Sequence, residues 1–357
     1  MATFSAALAN GLAVHGSDVS VVRIADESVA SDARVVGQLV NGLPTSVTAS
    51  SEVLNRSDVA VVQHEYGIYG GADGDEVVDV IAGLQVPSIV VAHTVLTDPT
   101  PHQRSVLVEI ASMADRIVVM SDAARQRLVR RFDVDPRKVV TIPHGAAVPR
   151  QSAARTFPGR PTLLTWGLLG PGKGIERVID ALGSLREVGV HPHYRIAGRT
   201  HPKVLASQGD SYRNGLIDRA RQLGIDASVS FDSDYRDVAS LTALVQSASI
   251  VVLPYDSKDQ VTSGVLVDAI ASGRPVIATA FPHAVEMLAS GAGIVVDHDD
   301  PDALLSALHR VLTEPDTAAA MEMEASRLAP TMAWPVVANA YVGLANALLA
   351  ERQAMVS

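Results

Sequence analysis

Thr165, Trp166 and Gly167 run through Leu168, Leu169, Gly170, Pro171, Gly172, Lys173 and Gly174 into Ile175 and Glu176. The order is an apolar strand pattern, a glycine-rich turn and a helix start. Glycines let backbone amides approach an anion closely, the helix start adds partial positive charge, and Lys173 adds a full one. Gly167, Gly172, Lys173 and Gly174 therefore read as a cradle for a diphosphate. The spacing is neither the eight-residue P-loop nor G-x-G-x-x-G followed by a ribose acid, which disfavours a Walker ATPase and a nicotinamide enzyme. A purely structural Gly-Pro-Gly turn is the alternative.

A second segment carries complementary chemistry. The apolar run 250–254 ends in the polar loop 255–261, a helix begins at Thr262 or Ser263, and Gly273 stops it before the next strand pattern. The helix start offers the amides of Ser263, Gly264 and Val265 to a phosphate. Gln260 in the loop suits sugar hydroxyls, and Asp268 further along the helix suits a ribose diol. The alternative is an ordinary capped helix with a solvated aspartate.

In the first half, Gln63, His64, Glu65, Tyr66, Gly67, Ile68, Tyr69, Gly70 and Gly71 follow a strand pattern at 59–63. Aromatic faces beside paired donors and acceptors suit sugar recognition at a strand's C-terminal end. His64, Glu65, Tyr66, Gly70 and Gly71 are thus candidates to bind an acceptor. A bland glycine-rich loop is the alternative. His64-Glu65 is not H-E-x-x-H and no Asp-x-Asp is placed to hold a nucleotide through a metal, so neither a metal nor a cofactor is expected.

The elements that must position these residues alternate in type along the whole chain. Strand patterns at 19–24, 59–63, 88–92, 116–120 and 139–142, then at 162–166, 194–197, 229–231, 250–254, 275–278 and 293–296, are mostly separated by amphipathic or Ala-rich stretches. This is the α/β pattern of parallel sheets. The 357 residues fit two domains. Between the two sets, 146–161 is rich in Pro, Gly and Ser and reads as the connection, so the expected domains are 1–150, 151–332 and a returning helix at 333–357. Residues 3–14 read as a helix where a doubly wound domain normally opens on a strand. The first strand is therefore expected to be missing, and Met1 not to be the natural start.

Composition narrows the partners. Hydrophobic residues are 47% and charged ones 19%, with a net charge of −10 and no cysteine. The charge repels nucleic acid and anionic membranes, and the missing thiols exclude disulfides and thiolate chemistry. With no long apolar run and no basic n-region before an apolar stretch, a cytoplasmic protein without a membrane segment is expected. Composition leaves the oligomeric state open.

The two C-terminal segments together resemble the family 4 retaining glycosyltransferases of the GT-B fold. Lys173-Gly174 matches that family's turn, Asp268 to Ile277 matches its Glu-Ala-Met-Ala-x-Gly-x-Pro-Val-Ile run, and Met332-Ala333-Trp334 resembles its returning helix. The run at 64–67 looks like a subgroup with a His-Glu-Tyr-Gly loop. The resemblance implies two Rossmann-like domains facing across a cleft and transfer of a hexosyl group to a hydroxyl acceptor with retention; the subgroup likeness puts mannosyl from a guanine nucleotide first, with uridine or adenine nucleotides as the alternatives. It also implies that His93 contacts the donor sugar, although a lone strand-end histidine is commonly structural, and it makes His144 a minor candidate in Ile142-Pro143-His144-Gly145. Three positions depart from the family: Leu168 stands for the clamp arginine, Gln260 for the first glutamate and Asp268 for the second. Arg199 is the nearest replacement cation. A sugar-nucleotide epimerase or hydrolase, and a sugar-nucleotide-binding protein without turnover, are the rival readings.

Overall fold

The structure, a computed structural model, describes residues 1–26, 32–149, 159–234 and 236–356. The chain forms two compact units, Met1–Gly145 with Trp334–Ser357, and Ala146–Ala333. Of the expected connection at 146–161, residues 150–158 lie outside the described residues.

The first unit contains α1 (Ala2–Val14), β1 (Val21–Ile24), β2 (Val35–Leu39), α2 (Pro44–Leu54), β3 (Ala60–His64), α3 (Glu76–Ala82), β4 (Ser88–Ala92), α4 (Pro101–Met113), β5 (Arg116–Val119), α5 (Asp122–Phe132) and β6 (Val139–Thr141). The second contains β7 (Thr162–Trp166), α6 (Ile175–Glu187), β8 (His193–Ala197), α7 (Pro202–Gln208), α8 (Ser211–Gln222), β9 (Val229–Asp232), α9 (Val238–Ser247), β10 (Ile250–Leu253), α10 (Gly264–Ala271), β11 (Val276–Thr279), α11 (Pro282–Leu288), β12 (Gly293–Val296), α12 (Pro301–Thr313) and α13 (Pro315–Leu328). α14 (Trp334–Val356) returns to the first unit.

The strands begin and end within two residues of the sequence patterns, apart from β2, which the patterns missed. Gly37 interrupts its apolar run, and only Leu39 of its five residues is buried, so it lacks the signal of a half-buried strand. In the first unit β1 pairs with β2 and β3-β4-β5-β6 form a separate parallel sheet among the described residues. The described chain opens on α1. Phe4 and Leu8 of α1 and Val337, Ala338 and Tyr341 of α14 pack with Ile89, Val91, Val118 and Met120 of the four-stranded sheet and its edge.

The second unit is one parallel sheet in the order β12-β11-β10-β7-β8-β9. Its central strands are buried on both faces, so they read as continuous apolar runs rather than alternations. The chain moves outward from β7 through β8 to β9, then jumps back to lay β10 on the other side of β7. Strand order therefore reverses between β7 and β10. Loops leaving two such strands diverge, and open α/β sheets bind ligands in the crevice this creates.

Candidate functional site

The two segments singled out in the C-terminal half are the loops that leave β7 and β10. They touch. Asp256 N–H donates to Gly172 O at 3.0 Å, and Gly174 sits at φ 63° with its Cα so close to Pro254 that an added Cβ would lie 1.8 Å from the Pro254 carbonyl oxygen. Gly198, after β8, is as tight: a Cβ there would lie 1.8 Å from Gly167 O. Glycine at 174 and 198 thus brings the backbones after β7, β8 and β10 together at the switch point. Gly174 also precedes the first turn of α6, where Arg177 N–H donates back to Gly174 O at 3.1 Å.

Lys173 is half-buried, and its Nζ lies 4.5 Å from the ring centre of Tyr255. The ring is itself buried and stacked on Phe281 at 5.6 Å, so the ammonium rests on a fixed aromatic face. Burial lowers the pKa of Lys173. The Arg199 side chain is engaged elsewhere. Its Nε donates to Ser233 O after β9, one strand further from the crevice. A guanidinium that does reach the β10 loop belongs to Arg177 in the first turn of α6, which pairs with Asp256 at 2.5 Å and donates to His298 O. Sequence reading passed over Arg177 because its partners are far along the chain.

At the start of α10, Ser263 Oγ accepts from Leu266 N–H and caps the helix. One expectation is corrected here. Ser263 N–H is not open to a phosphate, because it donates to Nδ1 of the buried His283 at 2.9 Å. Gly264 and Val265 supply the first-turn amides instead. Gln260 donates through Nε2 to Thr262 O, so its amide oxygen is the end turned to other uses. Asp268 is half-buried, and burial pushes its carboxyl up to about 7. If Asp268 accepts from a ribose diol, the affinity of a nucleoside diphosphate should rise as pH passes upward through 7, where the carboxylate forms. Calorimetric titration of wild type and Asp268→Asn across pH 6–8 checks this: the difference between the two should widen with pH. Asp268→Ala should weaken binding by roughly 1–3 kcal/mol.

In the first unit, the C-terminal ends of the adjacent strands β3 and β4 bring together His93, Gln63, Glu65 and Thr94. His93 Nε2 lies 2.8 Å from Gln63 Oε1, and with that oxygen accepting, Nε2 carries the proton and Nδ1 the lone pair. Burial, chiefly, depresses the His93 pKa to about 3, so its ring is a neutral hydrogen-bonding group and not an acid. Glu65 accepts from Thr94 Oγ1 at 2.6 Å and Tyr66 N–H at 3.0 Å, while burial raises its pKa. Tyr66 donates its hydroxyl to Gln103 O. The Gly70–Gly71 turn is tied by Glu76, which accepts from Gly70 N–H and Gly42 N–H. His144 packs its ring against Phe4 and Trp334.

His64 departs from its expected place facing an acceptor. It shares the buried face of β3 with Ala60 and Val62, has no exposed surface, and stands edge-on to Tyr66 with neither ring nitrogen hydrogen-bonded. Burial lowers its pKa from 6.5 to about 4. The unfolded chain takes up a proton below pH 6.5 that the folded ring refuses until about 4, so stability falls as pH drops through that window. The loss is on the order of 3 kcal/mol at 1.4 kcal/mol per unit. Urea midpoints measured from pH 7 to 4.5 should show it, and His64→Phe should make the curve shallower while leaving the share of the buried His93 and His144.

Among the described residues no group of three or more His, Asp or Glu is arranged to hold a metal ion, and no helix is long and apolar enough to cross a membrane.

Two α/β units, one carrying a glycine-and-lysine cradle at the switch point of a parallel sheet, define the GT-B class. Solved structures share this fold over nearly the whole chain: a glycosyltransferase from Rickettsia africae at TM-score 0.75 and 13% identity, covering 97% of this chain and 94% of that one, and sucrose-phosphate synthase from Thermosynechococcus elongatus at 0.75 and 19%, covering 96% and 92%. Anabaena HepE in complex with UDP matches at 0.69 and 15%, covering 87% and 85%. The family model for glycosyl transferases group 1 matches residues 149–327, and that for glycosyltransferase family 4 matches residues 1–148. The chain belongs to the group 1 glycosyl transferases. Similar relatives are the D-inositol 3-phosphate glycosyltransferases of Corynebacterium kroppenstedtii, 28% identical over 280 residues covering 70% of this chain and 59% of that protein, and of Kineococcus radiotolerans, 27% identical over 269 residues covering 69% and 60%. The chain thus spans about three fifths of the length of these relatives.

Proposed function

We propose that this protein transfers a hexosyl group from a nucleoside diphosphate sugar to a hydroxyl acceptor, with retention at the anomeric carbon, and that it acts in the cytoplasm. The observation that carries the reading is the switch point of the second unit, where the glycine turn after β7 meets the loop after β10 and Lys173 rests on the Tyr255 ring. Lys173 and the amides of Gly264 and Val265 stabilise charge on the departing diphosphate, which is electrostatic catalysis at the bond being broken. The bond from the anomeric carbon to the diphosphate oxygen breaks as a bond to the acceptor oxygen forms, and the acceptor's proton passes to the departing phosphate. Neutral Gln260 reads sugar hydroxyls, which fits a reaction that needs no carboxylate base at that position. Asp268 holds the ribose. His93, neutral with a free Nδ1, accepts from a donor-sugar hydroxyl, while Glu65, Tyr66, Gly70 and Gly71 serve the acceptor.

The relatives named for D-inositol 3-phosphate and the neighbour in complex with UDP choose the first probes. Labelled UDP- and GDP-hexoses, GDP-mannose among them, incubated with the protein, inositol 3-phosphate and a cell extract should yield a new labelled glycoside. An altered sugar still on its nucleotide, free labelled sugar alone, or binding without turnover would each replace this reading with epimerase, hydrolase or simple binder.

A further inference from the structure

The loop before α10 is held from behind by a junction that the donor reading does not use. β11 ends at Thr279, whose Oγ1 donates to Tyr255 O at 2.7 Å, and Phe281 stacks its ring on Tyr255. Two residues on, His283 grips the loop twice. Its backbone N–H donates to Gln260 O at 3.3 Å, and its Nδ1 accepts from Ser263 N–H at 2.9 Å. Both His283 and Ser263 are 2% exposed.

A ring nitrogen that accepts a hydrogen bond carries no proton, so His283 holds Ser263 through its neutral form with hydrogen on Nε2. Ser263 N–H is buried and lies outside the helical ladder, so without this acceptor it would be an orphaned donor. The loop would then find its bond by turning that amide elsewhere. From these contacts we infer that His283 is a positioning residue for the donor. It pins the 260–263 segment at both ends and takes the Ser263 amide out of use, so that the N–H groups of Gly264 and Val265 are the ones an anion meets. His283 touches no ligand in this scheme; it acts through Gln260 and Ser263, fixing before binding a segment whose ordering would otherwise be lost from affinity. The inference rests on the donor reading above.

The side chain's geometry supplies the test. Asparagine places its amide oxygen near the position of Nδ1, whereas glutamine extends toward the position of Nε2, so the two separate the acceptor role from mere bulk. Amide hydrogen exchange across 260–266 reads the lock in the unliganded protein, and calorimetric titration with UDP and GDP reads its consequence. His283→Gln and His283→Ala should speed exchange at Ser263 and weaken binding of the preferred nucleotide by about 3- to 10-fold, the worth of one hydrogen bond. His283→Asn should restore both, with turnover at saturating donor changed less than KM. Unchanged nucleotide affinity in His283→Gln with faster exchange would overturn the inference, as would failure of asparagine to restore binding in a protein that melts like wild type. If wild type binds neither nucleotide while Ser263 remains protected, the donor reading itself fails, and the lock is left as a structural contact with no positioning role.

Discussion

Replacing Lys173 with alanine is expected to lower turnover of the sugar nucleotide by about 10²-fold or more, the usual cost of removing a preorganised group from the charge that builds at a leaving oxygen. The half-buried ammonium on the Tyr255 ring is placed before any ligand arrives, so little is spent on orienting it when the bond breaks. The substitution removes no core side chain, and the fold should survive it. Release of nucleoside diphosphate, followed by stopped assay, measures the effect. A mutant that turns over at the wild-type rate would remove Lys173 from the chemistry and with it the proposed role of the cradle.

Gly174→Ala is expected to damage stability and turnover together. Residue 174 holds φ 63°, a region that costs an L-residue roughly 1–2 kcal/mol. Its new methyl would also stand 1.8 Å from Pro254 O, a backbone atom immediately after the buried strand β10 that cannot swing aside. Overpacking of this kind adds about 1–3 kcal/mol, and a unit of this size loses roughly 2–4 °C of melting temperature per kcal/mol. The loops after β7 and β10 would be forced apart, displacing Lys173 from the Tyr255 ring. Gly172→Ala is the matched comparison: φ there is 87°, but no atom lies within 4 Å of the added carbon. Melting curves should show only the backbone cost at 172 and a clearly larger loss at 174; equal losses would mean that the close approach to Pro254 does not constrain the cradle.

What the sequence determined by itself was local chemistry. The turn around Gly172, Lys173 and Gly174, the capped start of α10 at Ser263 and the polar run after β3 are written in contiguous residues, and each follows from bonds made within one or two turns of chain. The alternation of elements followed similarly from periodicity. β2 escaped because a short edge strand buries too little to impose a pattern. Tertiary structure decided which of these pieces meet. Parallel pairing laid β10 beside β7, so that Thr165 Oγ1 donates to Val252 O across 87 residues of chain, and only this adjacency brings the glycine-rich turn and the polar loop together in one crevice. Long-range contact likewise gave Ser263 N–H to His283, turned Arg199 toward Ser233 and set Arg177 on Asp256. The face on which His64 lies was decided in the same way. Alternation along β3 puts it with Ala60 and Val62, but which face becomes the buried one depends on what packs there, and that is a property of the assembled sheet and not of the strand.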